Sequence, residues 1–198
     1  VSNAVRPPMG IEGKEHITVS QKLYYNPNPN LSVLVYGSSF FMNTYDLIQD
    51  MTFSQARDWT AGTKVTYHVK DWFSVTGSLH ADFYDRFKRH ERIDKRQKDY
   101  ESSIYQPRLT VTSNYFNGHS LILGMEHTSD ELTSDRFSGN ANHDLKTRAL
   151  KETEYFLQDE WTINPRWMIS AGIRTNFSKA FGFMGMPKVA AKYSPDKH

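Results

Sequence analysis

The densest cluster of chemically capable side chains is the run "RFKRHERIDKRQKDY", residues 86 to 100, where Arg86, Lys88, Arg89, His90 and Arg92 stand close together. Guanidinium and ammonium groups on a long loop pair with phosphates, carboxylates or an anionic metal chelate, which makes these five residues candidate ligand contacts. The competing account is a solvated hairpin tip, with Asp85, Glu91, Asp94 and Asp99 largely balancing the basic groups. His143, in a second polar stretch, joins His90 as a candidate, and Met184 and Met186 lie in a third. Imidazole and thioether bind iron or copper, but no paired spacing fixes a ligand geometry here. His80 and Asp82, two residues apart, have the chemistry of an acid and base pair. A hydrogen-bond network in a sheet wall accounts for them better.

No nucleophile elbow, phosphate loop or zinc motif is present, so the sequence points to no catalytic residue, no metal centre and no resident cofactor. Zero cysteines exclude a disulfide framework and thiolate metal sites. A net charge of +2, with basic and acidic residues interspersed, argues against a nucleic-acid partner. The mean hydropathy is −0.65, and no stretch approaches the roughly 20 apolar residues of a transmembrane helix. A membrane β-barrel stays open, because alternating strands hide their hydrophobicity from an average. The start at Val1 and the end in "YSPDKH" after a strand-like run suggest a piece of something longer.

The elements that would position these residues are announced by turn signals. Lys70-Asp71, Asn117-Gly118 and Asn164-Pro165 recur at one even spacing, each flanked by alternating runs, and "NPNPN" (26 to 30) and "SPDK" (194 to 197) extend the series. Between them, the polar stretches 42–50, 88–102, 134–152 and 178–185 read as loops at the opposite end. Short turns at one end and long loops at the other predict an all-β, antiparallel, up-and-down meander of about nine or ten strands.

The two faces differ. Val33, Val35, Val65, Val75, Leu79, Leu109, Val111, Leu123 and Leu157 share one parity; Thr66, Thr76, Ser78, Thr110 and Thr112 share the other. Tyr24, Tyr25, Trp72, Phe73, Tyr115, Phe116, Trp161, Trp167 and Tyr193 crowd the short-turn end, as a membrane-interface belt does. Asp159 and Gln21 fall on the apolar parity, which predicts either a bulge or a position above the lipid band. "NGHSLILGME" and "NPRWMISAGIR" each place a glycine and then a charge on the polar parity. His80, Asp82, Glu126 and Arg174 are therefore expected to face a polar lumen.

The segment "YFLQDEWTINPRWMISAGIRTNF…MPKVAAKYSP" resembles the barrel of TonB-dependent outer-membrane receptors. The residues that carry the resemblance are Gln158-Asp159-Glu160-Trp161, Gly172-Ile173-Arg174, Pro187-Lys188 and Tyr193-Ser194-Pro195, within residues 153 to 197. It implies a transmembrane β-barrel of the bacterial outer membrane with short periplasmic turns and long extracellular loops, of which residues 1–198 form one part. The plug domain with its energy-coupling box is not recognisable in the chain. Implied partners are outer-membrane lipid, the TonB energy-coupling complex acting through the plug, and a ferric siderophore, haem or cobalamin-type ligand. Implied too is a transport receptor and not an enzyme. The alternatives are a passive porin or adhesin barrel, and a soluble β-propeller. The unbroken run "DWFSVTGSLHADFYDRF" is too long for a propeller blade strand.

Overall fold

The structure is a computed structural model that describes residues 12–46, 51–89, 96–134 and 145–195. Nine antiparallel strands form one sheet in chain order: β1 (Glu12–Asn28), β2 (Leu31–Asp46), β3 (Met51–Lys70), β4 (Phe73–Arg89), β5 (Arg96–Ser113), β6 (His119–Ser134), β7 (Lys146–Asn164), β8 (Trp167–Ser178) and β9 (Gly182–Tyr193). No helix occurs among the described residues.

Local chemistry sets the tight turns. Asn164 Oδ1 accepts hydrogen bonds from the backbone N–H groups of Arg166 and Trp167, at 2.9 and 3.0 Å, while Pro165 fixes the first turn residue. Asn28 caps the Pro29-Asn30 turn in the same way, accepting from Asn30 N at 3.0 Å. Gly118 ends the connection between β5 and β6 at φ 78°, and a Cβ there would press on the carbonyl oxygen of Thr162, so only glycine fits. Tyr115 lies within this connection, not on a strand as its parity had suggested.

At the opposite end the strands run through most of the stretches expected to be loops. β2 continues to Asp46, β4 to Arg89 and β6 to Ser134, and β5 and β7 begin at Arg96 and Lys146. Only Lys179, Ala180 and Phe181 separate β8 from β9. Where both faces of a sheet are wet, apolar alternation disappears, yet the backbone groups still need partners and the ladder continues.

Burial is inverted relative to a soluble domain. Ala56 is the one buried apolar residue among those described, while Leu79, Leu109 and Leu123 are 45%, 46% and 52% exposed. His80, Asp82 and Glu126, on the other face, are half-buried, so the sheet curls toward its polar side. An outward apolar surface this continuous needs a non-aqueous neighbour. At its short-turn edge aromatic rings pack on one another, Trp72 and Tyr115 T-shaped at 4.9 Å and Trp167 and Tyr193 tilted at 4.8 Å.

No bulge accounts for Asp159. Its register is unbroken, opposite Leu121 and Ala171, and it lies near the short turns, one outward position from Trp161. It shares a hydrogen bond with His119, whose Nδ1 stands 2.7 Å from Oδ2 and whose ring stacks on Trp161. Gln21 also keeps its outward place, in register with Gly37.

Candidate functional site

The polar face carries side chains in three tiers. In the tier nearest the short turns, Arg108 pairs with Glu126 at 3.6 Å and Arg174 with Glu154 at 3.0 Å. The Arg108 guanidinium also lies 4.8 Å from the centre of the Phe156 ring. Phe156 can lie flat because residue 124 is glycine: a Cβ would occupy the space its ring fills. The paired glycine-then-charge motifs thus have a physical meaning. Gly124 makes room for the Phe156 ring and Gly172 for the close approach of the Leu157 carbonyl, and the charge two residues on reaches a partner on a neighbouring strand.

In the middle tier, His80 Nδ1 shares a hydrogen bond of 3.0 Å with the Tyr36 hydroxyl, whose ring crosses the space left by Gly62. Asp82 accepts from Thr60 Oγ1 at 2.8 Å, and Asp58 accepts from the same hydroxyl at 3.3 Å. His80 and Asp82 therefore bond to wall neighbours on other strands, in the manner of a network.

The upper tier is organised by a bulge. Arg86 pairs with Tyr100 and Phe87 with Lys98, leaving Asp99 as the extra residue of β5. Asp99 is 4% exposed and receives Arg86 through Nε at 3.1 and 3.2 Å and through Nη2 at 2.8 Å, with Lys88 Nζ at 3.4 Å. Ser134 donates to the Asp99 carbonyl at 3.3 Å, tying β5 to β6. The Arg86 guanidinium lies 5.4 Å from the Tyr100 ring centre, and Tyr84 meets Tyr100 edge-on at 5.5 Å. Below this lock, Asp58, Asp82, Tyr84, Arg86, Tyr100 and Ser102 line one open depression.

Arg86 and Lys88 are thus strand residues engaged by Asp99, not loop residues, and Arg89 closes β4. His90, Arg92 and His143 lie outside the described residues. Glu126 and Arg174 are brought into adjacent cross-strand pairs; His80 and Asp82 sit one tier above them. Asp58, Tyr84, Tyr100 and Glu154 were not singled out from the sequence, and Asp99 was named there only among the acids that balance the basic run. The parity of β3, β4 and β7 carried a signal for Asp58, Tyr84 and Glu154, whereas the place of Asp99 depends on a bulge.

On the outward face beyond the apolar rows, Lys98 pairs with Asp85 at 2.8 Å and Glu101 at 3.3 Å, and Arg57 and Lys98 both approach the Phe87 ring. Charges on both sides of the wall at this height show that the apolar band has ended there.

The family model "TonB dependent receptor-like, beta-barrel" matches residues 13–198. The chain belongs to the TonB-dependent receptor β-barrel family. Among solved structures it is similar to a double mutant of the ferric enterobactin receptor PfeA of Pseudomonas aeruginosa, with a TM-score of 0.81 and 14% identity over 98% of this chain and 33% of that one. The siderophore receptor PirA of Acinetobacter baumannii is similar with a TM-score of 0.74 and 12% identity, over 94% of this chain and 32% of that one. A PfeA mutant in complex with enterobactin gives 0.78 and 14% over the same shares. No curated protein matches the sequence. The chain therefore spans about a third of the length of its solved relatives. Members of this family are outer-membrane proteins of Gram-negative bacteria, and the outward face of this sheet is lined with exposed apolar side chains.

Proposed function

We propose that these nine strands form part of the lipid-facing wall and outer vestibule of a receptor that captures a ferric siderophore and imports it. In the whole protein the TonB complex would supply energy through a plug domain seated against the polar face. The short turns lie on the periplasmic side and the far ends of the strands at the cell surface, which places the Asp58 and Asp82 depression on the route of an incoming ligand. The observation that supports this most is the polar face itself, which carries fixed ion pairs and aromatic rings opposite the apolar rows. The solved relatives are receptors for ferric enterobactin and other siderophores, which favours a siderophore over haem or cobalamin.

The test is uptake of radioiron-labelled siderophores by iron-starved cells that carry the full-length receptor as their one such protein, with and without a working TonB. Energy-dependent accumulation of a ferric complex supports the proposal. Diffusion of small solutes without TonB, and no binding of any ferric complex, would make the barrel a passive pore.

A further inference from the structure

Among the described residues beside Asp99, both cations are already engaged by it: Arg86 and Lys88 close on the one carboxylate. The acids just below are not matched in this way. Asp58 and Asp82 face the same depression, and among the described residues Thr60 Oγ1 alone donates to their side chains. A hydroxyl carries one proton and can satisfy one carboxylate at a time, so the remaining lone pairs face the lumen. Asp58 moreover stands in register between Phe40 and Tyr84, two rings whose faces attract cations. Carboxylates in a pair, flanked by aromatic rings and bounded above by a neutralised arginine, are the complement of a positively charged group.

We propose that this depression is a subsite for a cationic arm, a primary ammonium, carried by the ferric complex that the receptor takes up. The proposal rests on the siderophore-receptor function argued above and adds the charge of the ligand. A trianionic ferric tris-catecholate meets the two carboxylates as like charge; a chelate bearing an ammonium finds two acceptors and the Tyr84 ring. Asp58 and Asp82 act as specificity-determining residues, and Asp99 is a positioning residue that keeps Arg86 from reaching them.

The full-length receptor in detergent is titrated with three ferric complexes: that of desferrioxamine B, which ends in a primary ammonium, that of its N-acetyl derivative, which lacks the charge, and ferric enterobactin. Wild type is expected to bind the ammonium form at least about tenfold more tightly than the acetylated one, the scale of one hydrogen bond to a charged group. Asp58→Asn together with Asp82→Asn should erase that difference and leave the acetylated form unchanged. Each single carboxamide, which keeps the Thr60 contact, serves should the double variant fail to assemble. Equal binding of the two hydroxamates by wild type, or a preference that survives in the variants, overturns the subsite. Binding of ferric enterobactin alone overturns the subsite and leaves the receptor function standing. Binding of none of the three overturns both.

Discussion

Two adjacent residues of β4 should respond oppositely to a charge. Leu79 points outward and is 45% exposed, in register with Thr63 and Pro107; Ser78 points to the polar side, opposite Lys64 and Arg108. Leu79 lies six positions along β4 from Phe73. At about 3.3 Å per residue and a tilt of about 40°, it stands about 15 Å up the wall, close to the middle of an apolar band about 25 Å tall. Arginine on the lipid side at that depth costs about 2 to 4 kcal/mol, which divides the folded-to-unfolded ratio by about 30 to 900. At position 78 the lumen is wet, so Ser78→Arg costs no more than about 1 kcal/mol through the nearby Lys64 and Arg108. Ser78→Glu should cost nothing measurable there. The assay is urea titration of the full-length receptor refolded into lipid bilayers, with heat-modifiable mobility as the measure of folded protein. A cysteine at 79 should react poorly with a water-soluble maleimide and be quenched by a lipid-borne spin label. Comparable losses for Leu79→Arg and Ser78→Glu, or stronger lipid quenching at 78 than at 79, would refute the assignment of faces.

Other outcomes follow from single contacts. Asp99→Asn removes the carboxylate that Arg86 and Lys88 share. Breaking a buried ion pair costs about 3 to 5 kcal/mol, and because Arg86 keeps 25% of its side chain in water the expected loss is about 1 to 3 kcal/mol. It should be read as faster hydrogen exchange at the upper ends of β4 and β5. Gly118→Ala forces alanine to φ 78° against the Thr162 carbonyl, whereas Gly182→Ala meets open space at φ 75°. Both bear about 1 to 2 kcal/mol of conformational cost, and urea titration should show Gly118→Ala as clearly the worse. Tryptophan fluorescence from Trp161 and Trp167 should be quenched most by lipids brominated near the headgroup; deeper bromines acting better would move the belt into the membrane core.

What could be seen in the sequence was what a period of two can encode. Val75, Leu79, Leu109, Leu123 and Leu157 all lie on the outward face, because lipid on one side and water on the other impose alternation residue by residue. Above the lipid the constraint lapses. "KRHERIDKRQKDYES" therefore looked like a loop, although β4 runs to Arg89 and β5 resumes at Arg96. Cross-strand partners were hidden for a different reason. That His119 hydrogen-bonds to Asp159, or that Phe156 fills the space at Gly124, depends on register between strands, which no single strand's pattern states. The Asp99 lock needed a bulge as well, and a bulge leaves no fixed mark in composition.

Each described strand hydrogen-bonds only to the strands beside it in the chain. Such a wall has no keystone. Each hairpin joins strands adjacent in the chain, and closure cost grows only slowly with loop length, so the sheet can be laid down one hairpin after another from either end. The same property makes circumference a matter of counting. Excising β5 and β6 would leave β4 and β7 antiparallel and free to join without any strand crossing another, yielding a narrower wall of the same weave. Duplicating them would widen it. The bore of such a protein can therefore change over evolutionary time in hairpin-sized steps, while the outward apolar rows and the aromatic rim keep their height in the membrane.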